Sequence, residues 1–367
     1  MTLIKKDFSI YCHPEILEGK NKYKNLVKKI PKGRILLVTS EGFLKRKSFK
    51  NFLSQLGNID FDILSDVKPN PDIDYLDKKK SYIGNKNYKT IIALGGGSVM
   101  DTAKALSVSS SSEENNLFSE FFRENRKYKI KRDLFLVAIP TTSGTGSEVT
   151  PFSTIWDFKN KKKYSLDGNF LFPDLVLLEP DFSLSLPFEQ TLFPALDATS
   201  HALESIWNVN ADKITKKIAI ESLALIKASL PIALSDPKNL DSREKMQKAS
   251  LLAGIAISKT KTAIAHSISY PLTNRFSVPH GIACSFTLVT IIDDLLKKNI
   301  RDFNEIKEIN EIKKMLIDLN MNQYLYKYID KKDILSSIEF MYSPERAKNF
   351  NQDITLKDVE RIVNKSL

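Results

Sequence analysis

The residues best suited to chemistry are three histidines and an aspartate in the second half of the 367-residue chain. Histidine occurs four times, at His13, His201, His266 and His280, and the last three fall within 80 residues in apolar surroundings. In PALDATSHALESIW (194–207), Asp197 and His201 stand at i and i+4. On a helix that spacing sets a carboxylate and an imidazole one turn apart on the same face. His266 follows in AIAHSISY, and His280 comes after a Pro-containing turn, just before Gly281. A lone histidine is usually a satisfied core or helix-end residue. One carboxylate with three imidazoles instead suits a borderline divalent ion, Fe(II) with Zn(II) as the alternative, whereas calcium and magnesium prefer all-oxygen shells. His13 reads as structural, and Phe152, Trp156, Trp207 and Phe276 read as core or cleft lining.

Two polar turns could hold a nucleotide. IIALGGGSVMDTAKAL (91–106) sets Gly95, Gly96, Gly97 and Ser98 between a strand and a helix, with Asp101 in the first helical turn. Glycines admit close backbone approach, and a helix N-terminus offers free N–H groups to a pyrophosphate. The spacing is not G-x-G-x-x-G, so the usual dinucleotide fingerprint is absent. Only 13 glycines occur in the chain, which gives a run of three more weight than a plain tight turn would carry. PTTSGTGSEVTPFSTIWD (140–157) gathers Thr141, Thr142, Ser143, Gly144, Thr145, Gly146 and Ser147, whose hydroxyls suit ribose and phosphate oxygens. A Ser/Thr turn without a ligand would look the same.

The elements that must position these residues differ between the two halves. ILLVTS (35–40), TIIALGG (90–96), LFLVAIPTT (134–142) and DLVLLEP (174–180) are continuous apolar runs separated by helical patterns. They predict a parallel sheet covered on both faces. After Pro187 the apolar period becomes 3.6, over 219–234, 243–258, 284–298, 312–319 and 359–367. The expected architecture is a Rossmann-like α/β domain over 1–186 and a helical domain over 187–367. Ligands commonly sit in the cleft between two such domains.

Composition narrows the class. Hydrophobic residues make up 42% and charged residues 27%, as in an ordinary globular chain. No apolar run approaches the roughly 18 residues of a membrane span. Residues 1–16 lack the apolar stretch of a secretory signal, and Cys12 and Cys284 alone make no disulfide framework. A reducing cytoplasm is expected. The net charge of +11 comes from lysines spread along the chain, which argues for solvated surface and against nucleic acid. The polar segment SSSSEENN (109–116) reads as a loop.

LGGGSVMD (94–101), IPTTSGTGSEVT (139–150), FPDLVLLEP (172–180), LDATSHALES (196–205) and His266 with PHG (279–281) together resemble the iron-containing, group III alcohol dehydrogenase family. The resemblance covers nearly the whole chain and implies a dehydroquinate-synthase-like fold. It implies a divalent metal on Asp197, His201, His266 and His280, and pyrophosphate on Gly95, Gly96, Gly97 and Ser98. It also implies an adenosine-side role for Asn70 in Val67-Lys68-Pro69-Asn70-Pro71, nucleotide contacts from Thr141, Thr142 and Thr145, and a place for Lys163 near the nicotinamide ribose. Many members that use NAD carry Asp at the end of the second strand. Here VTSEG has Ser40, which removes the repulsion of a 2′-phosphate and admits NADPH, although Glu41 is adjacent. Tyr270 stands where a further histidine is common.

SYPLTNRFSVPHG (269–281), LESIWNVNAD (203–212) and KKKYSLDGNFLFPDL (161–175) resemble the subgroup that reduces phosphonoacetaldehyde to 2-hydroxyethylphosphonate in phosphonate biosynthesis. A dianionic substrate needs cations, and Lys259, Lys261 and Arg275 flank His266 as candidates. The implied reaction is hydride transfer from NAD(P)H to an aldehyde with the metal as Lewis acid. No protein acid is obligatory. Water or a ribose hydroxyl serves, with Tyr270 a weaker candidate. A homo-oligomer, a dimer, is expected. Alternatives are an alcohol dehydrogenase for uncharged substrates, a sugar-phosphate cyclase of the dehydroquinate synthase kind, and a nucleotide-binding module without catalysis.

Overall fold

The four apolar runs form the centre of a six-stranded parallel sheet. The structure is a computed structural model and describes residues 13–84, 86–110, 116–184, 186–298 and 307–367. Cys12, the N-terminal segment and most of the polar loop at 109–116 lie outside the described residues. The strands are β1 (Glu15–Glu18), β2 (Arg34–Val38), β3 (Phe61–Leu64), β4 (Tyr88–Gly95), β5 (Val108–Ser109), β6 (Lys131–Arg132), β7 (Phe135–Pro140), β8 (Phe152–Asp157), β9 (Lys162–Asp167) and β10 (Leu175–Leu178). The main sheet runs β1-β10-β7-β4-β2-β3, every pair parallel, with Leu36 opposite Ile91 and Ile91 opposite Leu136. Ile91 and Ile92 are fully buried, as strands covered on both faces must be.

The edge strands EILE and FDIL are four residues long, carry charged residues among the apolar ones and are largely accessible, so a search for continuous apolar runs passes over them. The antiparallel hairpin β8–β9 is also unexpected. It turns through Lys161 at φ 54. Because the central strands are parallel, Ser40 after β2, Gly95 at the end of β4 and Thr141 after β7 share one edge of the sheet, where nucleotides bind in such folds.

The chain divides into Met1–Thr142 with Ser147–Ser185, and Ser143–Gly146 with Leu186–Leu367. The sequence places one boundary near this point. It gives no hint that four residues of the polar loop, Thr145 among them, belong to the helical unit.

Helices that flank the sheet include α1 (Lys47–Leu56), α2 (Ile73–Ile83), α3 (Gly97–Ser107) and α4 (Leu117–Phe122). The second unit contains α5 (Phe188–Ile206), α6 (Lys213–Ser235), α7 (Leu240–Thr260), α8 (Ile264–Phe276), α9 (His280–Ser285), α10 (Leu288–Lys297), α11 (Lys307–Leu319) and α12 (Leu356–Ser366). The helix expected over 284–298 is interrupted between α9 and α10, at Phe286 and Thr287. By length and composition α6 is apolar enough to cross a membrane, contrary to expectation. Its apolar residues do not form one run. Ile218, Leu223, Ile226 and Leu230 recur at helical spacing and are buried.

A buried ionic knot joins α3 to the polar loop in the first unit. Lys104 is 1% exposed, and its ammonium donates to Thr150 O at 2.7 Å, Phe152 O at 2.9 Å and Thr150 Oγ1 at 3.3 Å. Burial pulls it down to about 8, against the attraction of Asp101 and Glu148. Glu148, 2% exposed, is pushed up by burial to about 7. Asp101 accepts from Ser147 Oγ at 2.8 Å and Thr154 N at 3.1 Å. Lys104→Met keeps the volume and removes the charge, leaving two carbonyls unpaired. It should lower unfolding stability by about 3–5 kcal/mol, as breaking a buried ion cluster does. Urea denaturation of the variant checks this, and a loss under 1 kcal/mol would remove the knot from the account.

Candidate active site

Helix α5 carries three buried polar side chains on one face: Asp197, His201 four residues on, and Glu204 three further. This is the i, i+4, i+7 stripe of a core-facing helix, occupied by charge instead of methyl groups. His266 projects from the first turn of α8, and His280 opens α9. The rings converge on Asp197. Its Oδ1 lies 3.4 Å from His266 Nε2, 3.5 Å from His201 Nε2 and 3.8 Å from His280 Nε2. The His201 and His266 rings stack at 4.8 Å, 11° from parallel.

Backbone proximity makes this convergence sterically feasible. A Cβ on Gly281 would lie 1.8 Å from Phe193 O, so only glycine lets α9 approach α5 one turn before Asp197. A Cβ on Gly144 would lie 2.5 Å from Pro194 Cβ, and one on Gly146, at φ 61, would lie 2.4 Å from Gly254 Cα. The polar loop is thus moulded onto α5 and α7.

Glu204 is fully buried. It accepts from Ala265 N at 2.6 Å, His266 Nδ1 at 2.7 Å, Ala263 N at 2.9 Å and His266 N at 3.3 Å. Ala263 at the start of α8 has no side-chain cap, so a carboxylate from another helix satisfies the free N–H groups there. The same carboxylate holds the His266 proton on Nδ1 and turns Nε2 toward Asp197. Nε2 has no hydrogen-bond partner although it is buried.

The electrostatics fit a cation. Burial pushes Asp197 toward protonation, but the imidazoles of His201, His280 and His266 outweigh it and hold the carboxyl far below its usual range. Burial pulls His266 down, yet Glu204 and Asp197 prevail and raise it to about 10. Burial holds His201 below its ordinary value. Two buried carboxylates therefore attract positive charge to one point lined by imidazole nitrogens. Cys284, which the sequence reading used only to judge disulfides, stands in the same group.

The nucleotide candidates of the first unit also assemble. Gly96 caps α3, and a Cβ there would come within 3.2 Å of Thr142 Oγ1. Thr141 N donates to Gly95 O at 3.0 Å. Asn70, at φ 62, donates its N–H to Ser98 Oγ at 3.0 Å, which brings the VKPNP segment to the glycine turn. Lys163 lies opposite Trp156 in the hairpin, its ammonium 5.5 Å from the ring centroid. Asp101, the acid in the first turn of α3, accepts hydrogen bonds on both oxygens from within the protein. Ser40 caps the short helix at Glu41–Leu44 and bridges to Asp66.

The proposed substrate cations are exposed. Lys259 pairs with Asp212, Arg275 lies over the Phe340 ring at 3.6 Å, and Lys261 ends α7 at φ 61. Tyr270 is half-buried in α8, one turn after His266. His13 stacks on Phe172 at 4.1 Å.

Residues 14–180 match the iron-containing alcohol dehydrogenase family, and residues 191–365 match the C-terminal part of the Fe-containing alcohol dehydrogenase family. The chain belongs to the iron-containing alcohol dehydrogenase family. Among similar proteins, the sulfoacetaldehyde reductase of Bilophila wadsworthia is 32% identical over 76% of this chain and 72% of its own length. The bifunctional aldehyde-alcohol dehydrogenase of Escherichia coli is 30% identical over 70% of this chain, a stretch that is 30% of that longer protein. The solved sulfoacetaldehyde reductase of Bifidobacterium kashiwanohense, in complex with NAD+, superposes with a TM-score of 0.84 at 24% identity, covering 96% of this chain and 97% of its own. An iron-containing alcohol dehydrogenase of Thermotoga maritima gives 0.80 at 28% identity, over 97% and 98%. The fold is dehydroquinate-synthase-like, and the family's cofactors are iron and a nicotinamide dinucleotide.

The carboxylate–imidazole pair at His266 yields a prediction. Glu204→Gln preserves size but removes the charge that fixes the ring. Divalent metal affinity should fall roughly 10- to 100-fold, as when an outer partner of a ligand is lost. Chelator competition measures it, with circular dichroism confirming an intact helical unit. An unchanged affinity would leave Glu204 with the capping of α8 alone.

Proposed function

We propose that the protein is a metal-dependent NAD(P)H oxidoreductase that reduces a small aldehyde to a primary alcohol, and that the aldehyde carries a phosphonate, as in phosphonoacetaldehyde. The observation that carries the reaction class is the convergence of three imidazole nitrogens within 3.4–3.8 Å of one Asp197 oxygen. Asp197, His201, His266 and His280 would hold the metal. Bound there, it polarises the carbonyl oxygen, and the reduced nicotinamide supplies the hydride. The N–H groups at Gly96–Ser98 and the α3 dipole would hold the pyrophosphate. Asn70, fixed on Ser98, would orient the adenosine side, with Thr141, Thr142, Thr145 and Lys163 along the remainder. Water or a ribose hydroxyl would return the proton to the product oxygen, with Tyr270 the weaker candidate.

Two findings support an anionic aldehyde: the resemblance of 161–175, 203–212 and 269–281 to phosphonoacetaldehyde reductases, and the sulfoacetaldehyde reductases among the relatives. Phosphonate and sulfonate heads pose the same problem of replacing the water around a charged oxygen cluster. Lys259, Lys261 and Arg275 remain the cations proposed for that task.

Following loss of the reduced cofactor with Fe(II) and a panel of phosphonoacetaldehyde, sulfoacetaldehyde and propanal tests both levels. The charged aldehydes should show the higher kcat/KM. Turnover of propanal alone would leave the uncharged-substrate reading. His201→Ala should abolish turnover and weaken Fe(II) retention while NAD(P)H still binds by fluorescence titration. An active His201→Ala would overturn the metal role.

Ser40 leads to a second expectation. With serine after β2, NADPH should serve at least as well as NADH. Ser40→Asp should shift the kcat/KM ratio toward NADH by roughly tenfold or more, since an acid there repels the 2′-phosphate and accepts the 2′-hydroxyl. Strict NADH use by the unmodified protein would point to Glu41 or Asp66 as the acid that reads the ribose.

A further inference from the structure

The metal centre contains one more donor than the four residues assigned above. Cys284 lies four residues after His280 on α9 and is fully buried. Its Sγ is 3.6 Å from Asp197 Oδ1. The donor atoms of Asp197, His266, His280 and Cys284 all lie within 4.8 Å of one another. On a tetrahedral ion, an oxygen at about 2.0 Å and a sulfur at about 2.3 Å stand roughly 3.5 Å apart, and an oxygen and a nitrogen roughly 3.3 Å apart. The Cys284 thiol donates to Asp197 Oδ1, and its separation of 3.6 Å, like the 3.4 Å from His266, matches that of ligands sharing one ion. An independent observation points to the same place: His266 Nε2 is buried, lacks a hydrogen-bond partner and faces Asp197.

We propose that Cys284 is a metal ligand, so that thiophilic divalent ions bind in the set Asp197, His266, His280 and Cys284, while iron takes His201 in place of the thiolate. The proposal rests on the reading of this cluster as a metal centre. On coordination the thiol gives its proton to solvent and the sulfur becomes a thiolate. Asp197 and the thiolate then supply the two anionic donors to the ion, the imidazoles of His266 and His280 complete the set, and Glu204 stays behind His266 on its Nδ1–H. Thiolate is a soft donor and favours zinc or cobalt over iron. The centre therefore carries a built-in preference that competes with the metal of its own family.

Cobalt(II) is the probe. The metal-free protein is titrated with Co(II) and its absorption recorded, alongside Cys284→Ser, Cys284→Ala and Cys12→Ser. The unmodified protein should show visible d–d bands together with a near-ultraviolet thiolate-to-cobalt charge-transfer band. Both Cys284 variants should lose the ultraviolet band and keep visible bands, and Cys12→Ser should keep both. Zinc affinity of Cys284→Ser should fall by at least the roughly tenfold that losing an outer partner costs. Visible bands without the ultraviolet band in the unmodified protein would overturn the thiolate while leaving the metal centre standing. So would an ultraviolet band that survives Cys284→Ser. Absence of visible bands in every protein would overturn the metal centre and the thiolate together.

Discussion

The meeting of α5, α8 and α9 answers to the cost of burying the Asp197 carboxylate. An anion removed from water loses several kcal/mol of hydration unless charge or hydrogen bonds replace it. Asp197 is 4% exposed, and the groups that meet it are three ring nitrogens and the Cys284 thiol. Glu204 adds a second buried carboxylate behind His266. The two buried carboxylates attract positive charge to the imidazoles between them, which raises His266 to about 10 and would equally favour a bound cation. The metal-binding role proposed for the cluster agrees with this charge accounting, which lies within one unit.

That accounting works only if three helices come unusually close. Gly281 has no room for a side chain against Phe193 O, and Gly144 has none against Pro194. The PHG and SGTG motifs therefore act sterically. The first lets α9 lay His280 beside α5, and the second lets the polar loop lie on α5 just before Asp197. A methyl group at either position would separate the elements by more than the tolerance of a ligand set, in which donors must stay within a few tenths of an ångström.

In the α/β unit the sequence was legible where burial is complete and obscure where it is partial. β2, β4, β7 and β10 announce themselves because strands covered on both faces tolerate only apolar residues. β1 and β3 lie at the sheet edges, tolerate charged residues and partial exposure, and lose that signature. Lys104 could not have been read as buried, since lysine is normally solvent-facing. Its burial is set by three carbonyl and hydroxyl acceptors far along the chain, between 46 and 48 residues away. Nothing local to the glycine turn announces that Asp101 accepts from Ser147 and Thr154, 46 and 53 residues along the chain.

The metal centre shows how much of a site local periodicity can carry. Asp197 and His201 are visible as an i, i+4 pair, and the same rule extended one step reaches Glu204, at i+7, in a stretch otherwise composed of Ala, Leu, Ser and Thr. An acid on the buried face of such a helix requires a partner, and that requirement alone could have flagged it. Cys284 obeys the same rule from His280, at i+4 on α9, yet cysteine counts as a small apolar residue when no disulfide is in prospect. What no periodicity could supply is the pairing of α5 with α8 and α9, because convergence on one oxygen depends on contacts 62 to 87 residues apart. Functional chemistry is therefore partly encoded one helix at a time, as polar residues placed where packing alone would call for methyl groups. Tertiary structure adds the common point toward which they face.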